Sequence, residues 1–408
     1  MKIGIVAPGI WGTVFYDTAA MLAKLGHEVR VYSDDVRAAG SLHFTRMEES
    51  GVQFYLIHNT KRNPLLWLPD KALKPFFGRR FFTTLFALYR YFSLTRDSDI
   101  YLVESDWMGM FVAIVARLRR FRWVVGVHDT DHLRISLDFP GRPDVAWMRS
   151  VKLWVLKSCN SVRANSWVTR DALVEGGCPT AKIAVIPLHA SPTRRSRENL
   201  EEFRPRARAT ILQRYGLPAD ARLLMTMCRV TPVKGLDLAI QALQRVLSTW
   251  PASRLFICGP DRDVPGMGSY RMALARLAQS LGVADRVIFT GNIDVPNLRA
   301  YLAAADVHLA PSIIDTFSYS VVEATLAGTR SLVSDQVGVA PWLCEAQAGR
   351  TLAGREADVW ADAIVEELAH PPDAAAMRAF VARLEALLDC EKITRQLVDL
   401  FAKVAKQA

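Results

Sequence analysis

One pattern recurs along this chain and constrains its fold more than any other. A short apolar run ends at a turn holding Gly or Pro, a stretch with apolar residues at helical spacing follows, and a second apolar run comes next. Residues 2–7 form the first run and stop at Pro8-Gly9; residues 17–25 carry the helical spacing and stop at Gly26; residues 28–32 form the next run. Strand, turn, helix, strand is the βαβ unit, whose crossover connection makes the two strands parallel. Further strands are expected at 100–103, 123–127, 161–164 and 184–187, with helices at 110–120 and 170–175. A second series follows, with strands at 223–227, 254–258, 286–290, 307–310 and 331–334 and helices at 236–249, 270–281, 295–304 and 320–327. The stretch 374–408 reads as helical throughout. The expected architecture is α/β, with two doubly wound parallel sheets at about 1–190 and 205–390 and a ligand cleft between them. A length of 408 residues accommodates two such domains.

Composition removes other classes. Half the residues are hydrophobic and 23% are charged, so the chain is not a disordered one. Cysteines at 159, 178, 228, 258, 344 and 390 form no CxxC pair and no zinc-ligand spacing, which fits a reducing cytoplasm. The net charge of +10 favours anionic partners. No apolar run is long enough for a transmembrane helix. The opening Met1-Lys2-Ile3-Gly4-Ile5 reads as a buried first strand rather than a signal sequence, because Pro8-Gly9 interrupts it early. The basic residues are spread over both halves and no nucleic-acid motif is present, so no nucleic-acid partner is expected. The arginine-rich stretch 193–208 reads as a solvated linker leading into a helix.

Two segments could carry chemistry. The first is Cys228-Arg229-Val230-Thr231-Pro232-Val233-Lys234-Gly235, at a strand-to-helix junction. Two cations beside a helix start suit a diphosphate: Arg229 can grip two oxygens and Lys234 can add a mobile charge. The plainer alternative is a pair of surface cations in a loop. The second is Asp315-Thr316-Phe317-Ser318-Tyr319-Ser320-Val321-Val322-Glu323. Its carboxylates, eight positions apart, could accept hydrogen bonds from sugar hydroxyls; ordinary helix-start acids are the alternative. His128 follows the strand at 123–127 and is either structural or a site residue. A metal site at His128-Asp129-Asp131-His132 lacks a known ligand spacing. Gly9 and Gly12 lie in the first βα turn, but the full G-x-G-x-x-G dinucleotide fingerprint is missing there. Between 63 and 96, aromatic and aliphatic residues such as Trp67, Phe76, Phe82, Phe86 and Tyr89 interleave with Lys71, Lys74, Arg79, Arg80 and Arg90. Such a segment suits an anionic membrane surface; a core-packing helix with snorkelling cations is the alternative.

Taken together, an Arg…Lys-Gly segment, a strand ending Gly-Pro-Asp at 259–261, Val-Ile-Phe-Thr-Gly at 287–291 and an acid-x7-acid pair resemble the retaining nucleotide-sugar glycosyltransferases of family 4, which have the GT-B fold. Val-Ile-Pro at 185–187 and Leu-Gly-His-Glu-Val at 25–29 extend the similarity over nearly the whole chain. The resemblance implies transfer of a hexosyl sugar from a nucleotide-diphosphate donor to a glycan, lipid-linked or small acceptor, in polysaccharide or glycoconjugate synthesis. It implies an acceptor-binding domain at 1–190, a donor-binding domain at 205–390, and a closing helix at about 391–408 that packs back on the first domain. Arg229 and Lys234 would hold the diphosphate. Glu323 would bond the ribose, and Asp315 and His128 would meet the donor hexose. Asn292 and Ile293 would lie near the base. Phe317, Ser318 and Tyr319 would offer backbone groups to the phosphates or sugar, and Gly9 and Gly12 would admit the phosphates closely. No metal and no cofactor besides the nucleotide sugar is implied, and the expected location is the cytoplasm, at the inner face of the membrane. A non-catalytic nucleotide-sugar-binding subunit is the alternative function. Asp315 stands where the family has Glu, Ser318 where Gly is usual, Leu188-His189 where Asn-Gly is common and Arg330 where Pro is common. These departures bear on which donor is used.

Overall fold

The computed structural model describes residues 1–7, 9–10, 13–34, 45–57, 68–72, 81–104, 106–128, 145–192, 198–261, 263–264 and 268–406. Among them, 1–128, 145–192 and 389–406 form one compact unit and 198–388 form another.

The first unit is built on an eight-stranded sheet in the order β3-β4-β2-β1-β5-β6-β7-β8. Its strands are β1 Lys2–Val6, β2 Glu28–Asp34, β3 Thr45–Glu49, β4 Val52–Ile57, β5 Ile100–Val103, β6 Trp123–Val127, β7 Ser161–Ala164 and β8 Ile183–Val185. Neighbours run parallel except β3 and β4. The inner strands are buried along their length, so they read as near-continuous apolar runs. The β3–β4 hairpin has no counterpart in the expected element series. Its outer strand, Thr-Arg-Met-Glu-Glu, is a charged edge without the apolar signal of a core strand. Ser50 and Gly51, both at positive φ (52° and 74°), close it in the two-residue turn that matches strand twist. Helix Val14–Lys24 starts three residues before the expected position because Thr13 caps it, accepting from the Phe15 N–H. The last helix, Cys390–Lys406, buries Ile393, Leu397, Leu400, Phe401 and Val404 on one face and packs against Val14–Lys24.

The second unit holds a six-stranded parallel sheet, in the order β13-β10-β9-β14-β15-β16. The strands are β9 Leu223–Met227, β10 Arg254–Cys258, β13 Val287–Gly291, β14 Val307–Ala310, β15 Ser331–Ser334 and β16 Gly349–Leu352; a small pair, β11 Asp263–Val264 and β12 Gly268–Ser269, lies outside it. Strand order reverses between β9 and β14. At such a switch point the connections leave in opposite directions and open a crevice at the strands' carboxyl ends. Helix Leu236–Val246 buries Leu236, Leu238, Ala239, Ile240, Leu243 and Val246, which anchors the segment following β9.

Of the stretch 193–208, expected as a solvated linker leading into a helix, the structure describes 198–208, where the helix begins. Two arginines of this helix, Leu200–Arg214, point inward. Arg204 donates to the carbonyls of Ala327 and Ala305 and to Thr329 Oγ1, and Arg208 donates to Asp306 and the Ala304 carbonyl. Burial lowers the Arg204 pKa to about 10, so it remains a cation at neutral pH. These guanidiniums bond carbonyls at the ends of neighbouring helices, and Arg208 shares the Asp306 carboxylate with the Leu223 N–H. No described helix is long and apolar enough to cross a membrane.

Candidate functional site

The crevice at the β9/β14 switch point is a cavity of about 340 Å³. Its wall is set by two glycines. Gly235 (φ 63°) precedes helix Leu236–Val246, and a Cβ there would meet the Pro311 carbonyl oxygen at 2.0 Å. Gly259 (φ 144°) follows β10, and a Cβ there would meet the Cys228 carbonyl oxygen at 1.8 Å. Both positions need a backbone that other residues rarely adopt and a space that no side chain can share. The loop after β9 is thereby drawn tight, and its two cations come to the cavity.

These cations have different surroundings. Lys234 Nζ donates to Asp315 Oδ2 at 2.6 Å, and both side chains are largely buried. Burial pulls the lysine pKa down, but the Asp315 charge and hydrogen bond outweigh it, so Lys234 is raised and stays protonated. Arg229 is exposed and, among the described residues, makes no hydrogen bond or ion pair. It is a guanidinium lining a cavity with its donors uncommitted. Cys228 and Cys258 also line the cavity, but burial pushes both thiols up to about 12, which keeps them protonated and poor nucleophiles.

Asp315 fixes the opposite wall. Its Oδ1 accepts from the Phe317 N–H at 3.3 Å and its own N–H donates to Gln336 O at 3.0 Å. Ser318 caps helix Tyr319–Leu326 at φ 67° and ψ 76°, with no side-chain capping bond. A left-handed serine carries strain of roughly 1–2 kcal/mol. Ser318, Tyr319 and Glu323 line the cavity, as do Asn292 and Ile293, which follow Gly291 at the end of β13. Phe317 does not. Its ring is buried 6.1 Å from that of Trp342, its N–H is taken by Asp315, and its carbonyl accepts from the Val339 N–H. The structure thus does not bring Phe317 to this cavity with Ser318 and Tyr319; apolar packing and internal hydrogen bonds engage it.

The other expected site residues belong to the first unit. Gly9 is exposed at φ 67° after β1, and Gly12 lies outside the described residues. His128 follows β6, and its Nε2 is 2.6 Å from Glu104 Oε2. Glu104 follows β5, and its Oε1 accepts from Arg163 of β7 at 3.0 Å. Neither Glu104 nor Arg163 was picked out from sequence. The available signal was an arginine inside the short buried run Ser161–Ala164. Among the described residues no three His, Cys, Asp or Glu side chains gather as metal ligands; Asp129, Asp131 and His132 lie outside them.

Comparison with known proteins follows the same division. Residues 207–383 match the family described as glycosyl transferases group 1, and residues 11–189 match the glycosyl transferase 4-like domain. The chain belongs to the GT-B glycosyltransferases. Relatives within this family include a D-inositol 3-phosphate glycosyltransferase of Thermobispora bispora, 29% identical over 247 residues, which cover 58% of this chain and 57% of that protein. A Corynebacterium urealyticum protein of the same description is 27% identical over 396 residues, 94% of this chain and 88% of that one. The structure of Anabaena HepE in complex with UDP and glucose superposes with a TM-score of 0.68 at 17% identity, covering 99% of this chain and 100% of HepE. Several matches are partial: the chain spans 41% to 57% of the length of five curated relatives, the Thermobispora bispora protein among them.

Proposed function

We propose that this member of the GT-B glycosyltransferases moves a hexosyl group from a nucleotide-diphosphate sugar to an acceptor, with retention at the anomeric carbon. The observation that carries the reading is the exposed, uncommitted Arg229 in a cavity that also holds Lys234, Asp315, Glu323 and the start of helix Tyr319–Leu326. A departing diphosphate gains negative charge. Lys234, held by Asp315, and the positive end of the helix are oriented before the reaction and stabilise that charge without reorganising, while Arg229 brings uncommitted donors to it. Glu323 accepts from ribose hydroxyls, and Asp315 both orients Lys234 and meets the sugar. Asn292 and Ile293 border the base. His128 meets the transferred hexose. HepE, whose solved complex holds UDP and glucose, supports a nucleotide-sugar ligand class.

A lipid-linked acceptor at an anionic membrane is the acceptor reading we favour. Helix Phe81–Leu94 buries Ala87, Leu88, Tyr91 and Phe92 and exposes Phe82, Phe86 and Tyr89 on another face. Arg90 lies over the Phe86 ring at 6.0 Å and Arg119 over the Tyr89 ring at 4.8 Å. One face thus packs as a core helix while the other pairs aromatic rings with cations, as an interfacial helix does. The rest of the basic segment, 63–67 and 73–80, lies outside the described residues.

Thermal melting in UDP-, GDP- and ADP-sugars and the free nucleotides tests the donor site. A ligand at 100 times its Kd adds about 2.7 kcal/mol. Stabilisation by one nucleotide class, followed by sugar transfer or hydrolysis, supports the assignment. Binding with neither reaction supports the non-catalytic subunit, and no shift with any nucleotide refutes the donor cavity. Co-sedimentation with anionic liposomes at low salt tests the acceptor surface: Phe86→Glu with Tyr89→Glu is expected to release the protein, and absence of binding by the unaltered chain removes the membrane reading.

A further inference from the structure

The first unit also has a switch point, between β1 and β5, and the residue at the carboxyl end of β5 is Glu104. Its side chain is 1% exposed. Burying a lone carboxylate is costly, and such a group is held ionised only by partners. Glu104 has one on each oxygen. Oε1 accepts from Arg163 Nη1, while Arg163 donates through Nε to Ile186 O at 3.2 Å and through Nη2 to Pro187 O at 2.8 Å. The guanidinium is thereby fixed on three sides. Oε2 takes the His128 ring. Burial raises the Glu104 pKa, but its contacts with His128 and Arg163 outweigh it and the net direction is down.

Room for this arrangement comes from β6 itself. A Cβ on Gly126 would meet Glu104 Oε2 at 1.9 Å and His128 Nε2 at 3.0 Å. A glycine inside a buried strand costs stability and has no side chain to pack, so it marks a close approach by another group. Here that group is the carboxylate. The Phe15 ring stands 4.8 Å from the imidazole, tilted by 58°, and bounds the ring on another side.

We propose that Glu104, anchored by Arg163 and admitted by Gly126, is a positioning residue that fixes the orientation and tautomer of His128. An ionised carboxylate can only accept, so the imidazole must carry a proton on Nε2. The carboxylate thereby decides which ring nitrogen bears the proton. The catalytic meaning of this inference rests on the reading of His128 as the group that meets the transferred sugar; the tautomer itself does not.

Ring-nitrogen NMR of the full chain labelled with 15N-histidine tests it, with His128→Gln identifying the resonances. The unaltered protein is expected to show one tautomer, with Nε2 protonated. Replacing the buried pair together, as Glu104→Met with Arg163→Met, removes the carboxylate without stranding a charge. Gly126→Ala keeps both charges and wedges the carboxylate from the ring. In each variant that remains folded by circular dichroism, the His128 signals are expected to move toward the average of two exchanging tautomers, while the other histidines are unchanged. A single Nε2-protonated tautomer persisting in a folded variant overturns the proposal, as does an unaltered protein with a bare Nε2. Sugar transfer retained by His128→Ala would instead remove the catalytic reading of His128 and leave the NMR result standing.

Discussion

The two units share a parallel-sheet plan and each reverses strand order once, yet they use that point differently. In the second unit the switch point opens into a cavity, with one cation tethered to Asp315 and another, Arg229, uncommitted. In the first, the strand ends hold a carboxylate saturated by Arg163 and His128, with no space left over, as Gly126 shows. The same topology can therefore supply a receptor for charge or a fixed internal ion pair. Which one results depends on whether the charged side chain is exposed or enclosed.

The sharpest break in this contrast comes from Arg163→Met. It strands Glu104 in the interior, and unfolding in urea is expected to show a loss of about 3–5 kcal/mol. A loss under 1 kcal/mol would mean that the ion pair is not what holds these strand ends. Next comes the imidazole that the second unit buries without a carboxylate. His308 in β14 is fully buried, with Ser331 Oγ 3.1 Å from its Nδ1, and burial pushes its pKa down to about 4. The unfolded chain takes up a proton near pH 6.5 and the folded one does not until about 4. Stability is therefore full above 6.5 and falls as pH drops toward 4, by on the order of 3 kcal/mol. His308→Val is expected to flatten that limb, and an unchanged pH profile would contradict the assignment.

Arg229→Ala is the converse of Arg163→Met. Stability should change by no more than about 0.5 kcal/mol, as at an exposed site. Calorimetric affinity for the nucleotide found by melting should fall by about 1.5–3 kcal/mol, the range for charged hydrogen bonds. Equal affinity in both proteins would remove Arg229 from the diphosphate site. The smallest effect is expected from Ser318→Gly. It relieves a left-handed serine but adds glycine's backbone entropy, for a net gain of about 0.5–1 kcal/mol in urea unfolding. A loss instead would show that the serine hydroxyl stabilises its loop.

What was legible in the sequence divides along similar lines. Strands such as Ile100–Val103, Trp123–Val127 and Leu223–Met227 could be placed because parallel strands are apolar on both faces. The cavity residues Arg229, Lys234, Asp315 and Glu323 could be grouped because local spacing and family resemblance both point there. The β3–β4 hairpin was not legible, since a charged edge strand has no core pattern to display. Neither were the inward turn of Arg204, the joining of Lys234 to Asp315 across 81 positions, nor the pairing of Glu104 with Arg163 across 59. Each depends on long-range placement, and a charged side chain carries no local sign of whether it will be enclosed.

The last helix, Cys390–Lys406, belongs to the first unit although the second lies before it in the chain. In chain order the second unit is thus an insertion, with a junction on each side. Stopping the chain before residue 389 would remove no strand, but it would strip the Ile393–Phe401 face from helix Val14–Lys24 and leave the first unit with an uncovered apolar surface. The segment 198–388, by contrast, carries its own sheet, core and cavity as one continuous piece. An exchange of this unit between relatives is therefore better built as an internal cassette with two splice points than as a fusion of two halves.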